Sequence, residues 1–102
     1  MKECCRKYLS EQLGDVMDVI NEIYAEYASS IGDKMAEADA AVAAGEWNAL
    51  DKVAHAIKGN ALTVGDQQMA DAAIALRSVA QQKDWSGVER LIADMKALAT
   101  QL

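Results

Sequence analysis

The chain has 102 residues, of which 52% are hydrophobic and 25% are charged, and it contains no proline. This length suits a single domain over residues 1–102, and the composition favours an all-α globular fold over multidomain enzyme classes. Ten basic residues against sixteen acidic ones give a formal net charge of −6, which opposes binding to nucleic acid and to anionic membranes.

Residues 1–13 have the weakest helical pattern of the chain. The segment Glu3 to Leu13 can add a short helix with Leu9 and Leu13 as its apolar contacts, or this end can fray. Cys4 and Cys5 are adjacent, which does not suit an ordinary disulfide within a domain. We interpret them as two reduced thiols near a frayed end, with a lipidated pair as the alternative. With no signal core and no apolar run of 18 residues, we expect a cytoplasmic protein.

A long amphipathic helix is predicted from about Asp15 to Ala44, because apolar residues recur there every three or four positions. Asp15 is the predicted N-cap and Gly45 the predicted stop. Gly32 lies inside this run, costs about 1 kcal/mol relative to alanine and can bend the helix. The apolar positions are Val16, Ile20, Ile23, Tyr27, Ile31, Met35, Ala38 and Val42.

Three shorter amphipathic helices follow, joined by short connections. Gly65 ends the first of them, while Asp66 and Asp84 are the predicted N-caps of the second and third. Trp47 and Trp85 open the first and third, and we expect their indoles to cover one end of the bundle. Four amphipathic helices with short loops predict an up-down four-helix bundle.

The only histidine, His55, falls in the middle of the first of these shorter helices. On a helical wheel with Ile57 at zero, the apolar stripe lies within about 60° and His55 near 160°. This position excludes a histidine packed in the core. It leaves an idle surface histidine or one presented to a partner. The stripe itself consists of Leu50, Val53, Ala54, Ile57, Ala61 and Val64.

The neighbours of His55 on the outer face favour a presented side chain. Gly59 lies one turn further on, Leu62 lies at i+7, and Lys52 and Lys58 flank the ring at i−3 and i+3. A glycine inside a helix costs about 1 kcal/mol but lets a bulky partner approach. Lys58 can stabilise phosphoryl oxygens on the ring, and Leu62 and Lys52 offer docking contacts. Singly each is an ordinary surface residue, but together they suit phosphoryl transfer.

Several motifs of self-sufficient catalysts are missing from the sequence. It contains no GxxxxGK[ST] loop, no GxGxxG and no second histidine, so an ATP site is not expected. A single exposed imidazole has no enclosing pocket in which to turn over a small substrate. We therefore expect no cofactor and no metal site, and a phosphoryl group that is brought by another protein.

The stretch His55 to Asn60, followed by Gly65 and an apolar Met69, resembles the motif of the histidine-containing phosphotransfer (HPt) domain. The resemblance covers most of the chain, roughly Gly14 to Leu102. Members of that family are helical bundles that shuttle a phosphoryl group between aspartates of receiver domains.

This resemblance implies a role for three residues. His55 would be the phosphoacceptor through Nε2, Lys58 would assist the phosphate, and Gly59 would give access. Asn60, Asp66 and Met69 depart from the residues that are frequent in the family. We expect the Asp66 charge to lie near the docking end and to affect the choice of receiver.

The leading hypothesis is a phosphorelay intermediate that accepts a phosphoryl group on His55 from one receiver aspartate and passes it to another. Its expected partners are receiver domains and a hybrid sensor histidine kinase, and we expect a monomer that binds neither nucleic acid nor membranes. Magnesium would belong to the receiver. The alternatives are a docking module that takes no phosphate and a haem-binding bundle with histidine and methionine ligands. The outward position of His55 argues against the haem.

Overall fold

A computed structural model describes residues 1–102 as five helices without any strand. The all-α prediction is confirmed, and residues 3–13 form a helix rather than a frayed end. None of the five helices combines the length and apolar character that crossing a membrane requires. In chain order the helices are α1 (Glu3–Leu13), α2 (Met17–Ala44), α3 (Trp47–Thr63), α4 (Gln67–Gln81) and α5 (Trp85–Ala99).

The longest helix, α2, sets the shape of the molecule. Its 28 residues span about 42 Å at 1.5 Å per residue, close to the longest dimension of 43 Å. The helix continues through Gly32 without a break. Helices α1, α3 and α5 each pack against α2. Helix α4 packs against α3 and α5.

The core confirms most of the predicted apolar stripes and corrects two positions. Val16 is 50% exposed and Leu13 is 44% exposed, because both lie at the α1–α2 junction beyond the packed part of the helices. Trp47 and Trp85 meet edge to face with ring centroids 5.3 Å apart, as expected for indoles at one end of the bundle. The buried stripe of α2 consists of Ile20, Tyr24, Tyr27, Ile31, Met35, Ala38 and Ala41.

The helix ends follow the sequence signals with one exception. Asp66 accepts a hydrogen bond from the Met69 backbone N–H at 3.4 Å, and Asp84 accepts one from Gly87 at 3.1 Å. Both are N-caps, as predicted. The predicted cap Asp15 is wrong, because α2 begins at Met17, which makes Val16 the flanking residue, and no side chain caps this end.

Asp66 has a second set of partners in the interior. Its side chain is fully buried, and it pairs with Lys2 Nζ at 2.7 Å and accepts a hydrogen bond from the Tyr27 hydroxyl at 2.7 Å. Burial and this hydrogen bond raise the pKa of Tyr27. Burial lowers the pKa of Lys2, but the hydrogen bond and attraction from Asp66 outweigh it and leave that pKa raised. We name Lys2, Tyr27 and Asp66 the Asp66 cluster.

The Asp66 cluster corrects the expectation that this carboxylate adds charge to a docking surface. The side chain of Asp66 is sealed from solvent and is paired with an ammonium group. A charge so neutralised and buried is not presented to a partner. Its place in the fold is to join the start of α1 to the turn between α3 and α4.

The two cysteines differ in exposure. Cys4 is exposed, whereas Cys5 is fully buried on the inner face of α1, and both thiols are free. Burial raises the pKa of the Cys5 thiol to about 12. The interpretation of both cysteines as lying near a frayed end is therefore wrong, because α1 is anchored by Cys5, Leu9 and the Asp66 cluster.

Candidate functional site

His55 lies at the middle of α3 with its side chain exposed. Ala54, Ile57 and Ala61 of the same helix are fully buried and form the side that packs into the core. The placement predicted by the helical wheel is confirmed. An imidazole in this position is open to another protein without any movement of the helix.

The other four residues singled out in the sequence lie on the same helix. A Cβ added at Gly59 would meet no atom within 4 Å, so the surface beside the ring is open. Leu62 is 43% exposed, Lys52 is exposed and Lys58 is half-buried. The structure places all five residues on α3, and their roles in phosphoryl transfer and docking remain predictions.

Arg77 of α4 is a residue of this site that the sequence analysis missed. Its Nη1 lies 3.1 Å from Nδ1 of His55, and its Nε donates to Oδ1 of Asp51 at 3.0 Å. The hydrogen bond from Arg77 lowers the pKa of Asp51. Asp51 stands four residues before His55 on one face of α3, which is visible in the sequence, whereas Arg77 reaches this face only through the packing of α4 on α3.

A shallow groove of about 360 Å³ lies beside this cluster, between α3 and α4. Its walls combine two cationic groups with two polar side chains and one apolar residue, Ile74, that is 49% exposed. Such a lining suits a surface with negative charge and apolar contacts. A larger depression of about 810 Å³ is lined by α2 alone and contains no nucleophilic imidazole or thiol. The groove residues are Lys58, Ile74, Arg77, Ser78 and Gln81.

Neither a metal nor a haem is supported by the arrangement of side chains. No group of three or more histidine, cysteine, aspartate or glutamate side chains is positioned to hold a metal ion. His55 is exposed while Met35, Met69 and Met95 are buried, so the histidine and these methionines cannot ligate one haem inside the bundle. Asn60 donates to the Ser30 hydroxyl of α2 at 2.9 Å, which gives this departure from the HPt motif a role in packing α3 on α2.

Comparison with known proteins places this chain in a family. The family model described as the Hpt domain matches residues 22–102, which include most of α2 and all of α3, α4 and α5. No curated protein and no solved structure matches the chain. Helix α1 lies outside the matched range. Because the match spans most of the chain and contains His55, this protein belongs to the Hpt domain family and to the phosphorelay class of two-component signalling proteins.

Proposed function

We propose that this protein is a phosphorelay intermediate in which His55 accepts a phosphoryl group from the aspartate of one receiver domain and passes it to another. The observation that carries this proposal is an exposed imidazole at mid-helix, with open space at Gly59 and a cationic groove next to it. Membership of the Hpt domain family supports it.

The chemistry needs only one nucleophilic nitrogen from this chain. Arg77 contacts Nδ1 of His55, so we assign the attack on the phosphorus of the aspartyl phosphate to Nε2, in the tautomer that carries the ring proton on Nδ1. The bond between phosphorus and the aspartate oxygen breaks, and the carboxylate leaves with its electron pair. Lys58 then offers positive charge to the phosphoryl oxygens. The magnesium ion that receivers use would come with the receiver, because no metal-binding cluster surrounds His55.

Recognition would use the same face of α3 and the neighbouring part of α4. Lys52 and Leu62 are the proposed docking residues, to which the structure adds the exposed apolar Ile74. A receiver with acidic and apolar side chains around its aspartate would complement this face. The donor side of the relay would be a receiver attached to a hybrid histidine kinase, and the protein would act as a monomer.

The architecture proposed for this function is a single unit over residues 1–102, with α2 to α5 as an up-down four-helix bundle. Consecutive helices pack on each other and α5 returns to α2, while no Cα atoms of the opposite pairs α2–α4 and α3–α5 come within 8 Å. This neighbour order supports the bundle. Helix α1 is an addition along α2.

The direct test is incubation of the protein with a phosphorylated receiver. We expect the chain to gain phosphate that is acid-labile and base-stable, and the His55→Gln variant to gain none. Because there is only one histidine, this single substitution removes every imidazole. Equal phosphate on the variant would overturn the proposal. Receiver binding without phosphate uptake by either protein would instead identify a docking module.

A second test examines access to the ring. Gly59→Trp is expected to block phosphoryl transfer while far-UV circular dichroism shows unchanged helicity. Gly32→Trp is the matched control, because Gly32 is also an exposed glycine inside a helix with no atom near its missing side chain. If both variants transfer at the rate of the unmodified protein, Gly59 has no role in access.

A further inference from the structure

The contact between Arg77 and His55 constrains where the imidazole can carry its proton. A guanidinium group has only donors, so the atom that faces it must accept. At 3.1 Å, Nη1 of Arg77 is within hydrogen-bond distance of Nδ1 of His55. The lone pair of a neutral ring therefore lies on Nδ1, and its proton lies on Nε2.

The guanidinium is held in this position from its other edge. Nε of Arg77 donates to Asp51 Oδ1 at 3.0 Å, and Nη2 lies 3.5 Å from Asp51 Oδ2. Asp51 precedes His55 by four residues, so both side chains project from the same face of α3. Nη1 is the remaining nitrogen of the fork, and it points at the ring. The ion pair thus aims one donor at Nδ1.

We propose that Arg77 is a positioning residue that keeps Nδ1 of His55 free of a proton, and that this contact slows transfer in both directions and prolongs the life of the phosphohistidine. The claim that Arg77 slows phosphoryl transfer rests on the proposed function. The claim that Nδ1 carries no proton rests only on the contact between the two side chains.

The balance of the reaction shows why one contact affects both directions. Attack through Nε2 needs the lone pair on Nε2 and the proton on Nδ1, where it would face an N–H of Arg77. After the new N–P bond forms and the aspartate carboxylate leaves, the ring loses its Nδ1 proton to solvent and Nδ1 can accept from Arg77 again. In the reverse step, a proton must return to Nδ1 before the ring leaves as neutral imidazole. Arg77 therefore stabilises both resting states relative to the reactive ring.

Nuclear magnetic resonance of the unphosphorylated protein tests the tautomer without any partner. Since His55 is the only histidine, the ¹⁵N signals of imidazole nitrogens all belong to it. We expect Nε2 to carry the proton in the unmodified protein and Arg77→Gln to gain a population with the proton on Nδ1. A ring with its proton mainly on Nδ1 in the unmodified protein, or an unchanged spectrum in Arg77→Gln, would overturn the proposal.

Two further variants separate this role from a structural one. Asp51→Asn breaks the same ion pair but keeps the guanidinium donor, so its ring signals should stay closer to those of the unmodified protein than those of Arg77→Gln do. Arg90→Gln changes an exposed arginine of α5 and should leave the ring signals unchanged. Equal tautomer shifts in Asp51→Asn and Arg77→Gln would show that only the ion pair matters and would overturn a direct role of Arg77.

The kinetic part is tested by loading His55 with phosphoramidate, a small phosphoryl donor, and following the loss of phosphate. The rate of loss is expected to rise about two- to tenfold in Arg77→Gln, the range that corresponds to one net hydrogen bond. Acceptance from phosphoramidate should accelerate by a similar factor. Unchanged rates would overturn this part. If His55 loads from phosphoramidate but never from a receiver, the proposed function fails while the tautomer result stands.

Discussion

Two clusters in this molecule are built from the same kind of pair and differ in exposure. In the Asp66 cluster a carboxylate binds an ammonium group and a tyrosine hydroxyl in the interior, and no buried side-chain polar atom is left without a partner. At the surface, the carboxylate of Asp51 binds Arg77, which in turn contacts His55. The side chains of that surface ion pair are both 30% exposed.

Because the two clusters differ in burial, they have different roles in the molecule. In the interior, losing one partner leaves a desolvated group, so the pair is tied to stability. At the surface, water replaces a lost partner at little cost, so the pair can rearrange around a reacting ring. The same side-chain chemistry therefore joins α1 to the bundle in one place and contacts the ring of His55 in the other.

The largest expected effect comes from the two aspartates compared directly. Asp66→Ala should lower the free energy of unfolding by about 3–5 kcal/mol, because it leaves the ammonium of Lys2 and the hydroxyl of Tyr27 without their shared partner. Asp51→Ala should lower it by less than about 1 kcal/mol. Urea unfolding followed by circular dichroism measures both. Losses of similar size would refute the contrast between the clusters.

A smaller loss is expected where α1 crosses the turn beside the Asp66 cluster. Gly65 has φ +72°, and an added Cβ would lie 2.5 Å from Cβ of Tyr8. Gly45 has φ +67° with open space around it. Gly45→Ala should therefore cost about 1–2 kcal/mol from backbone strain alone. Gly65→Ala should cost at least about 1 kcal/mol more, because α1 must shift.

Urea unfolding of the two alanine variants separates strain from collision. Limited proteolysis adds a local readout, because a displaced α1 should be cleaved faster in Gly65→Ala than in Gly45→Ala. Equal free energies of unfolding would indicate that α1 does not press on this turn.

The buried thiol of Cys5 should make the free energy of unfolding depend on pH, and burial should protect it from thiol reagents. The ordinary thiol pKa is 9.0 and burial raises that of Cys5 to about 12, so above pH 9 the unfolded chain loses this proton before the folded one does. The contribution of the Cys5 thiol to the free energy of unfolding should therefore be fully present below pH 9 and should be lost as pH rises toward 12. Cys5→Ala should show a shallower decline over this interval.

At pH 8, Ellman's reagent should react quickly with one thiol per chain, the exposed Cys4, and with Cys5 only after denaturant is added. Rapid reaction of both thiols in the native protein would show that α1 opens readily. In that case α1 is frayed in solution.

The smallest expected effect, of opposite sign, is at the surface site. Gly59→Ala should raise the free energy of unfolding by about 0.5–1 kcal/mol, because its Cβ meets open space and alanine favours the helix. Gly32→Ala should give a similar gain for the same reason. Only Gly59→Ala is expected to slow phosphoryl acceptance by His55. A loss of stability in Gly59→Ala alone would mean that the surface there is not open.

Much of the fold could be read from local patterns. The caps at Asp66 and Asp84, the stop at Gly45 and the outward face of His55 depend on residues within one or two turns of each other. Local signals failed at the cap Asp15, since α2 begins at Met17 and no side chain caps this end.

The two clusters could not be read in the same way. Lys2 and Asp66 are 64 positions apart in the chain, and His55 and Arg77 are 22 apart. No periodicity connects such residues. Their contacts depend on the rotation and register of one helix against another, which side-chain packing of the whole core decides.

The sequence by itself determined that this chain is helical, where its later helices end, and that its one histidine faces water, because backbone hydrogen bonding and amphipathic periodicity act over a few residues. Only the tertiary structure decided that Asp66 is sealed with Lys2 and that Arg77 meets the ring of His55. Both pairs form between elements distant in the chain, where the close packing of α1, α2, α3 and α4 sets which side chains come within hydrogen-bond distance.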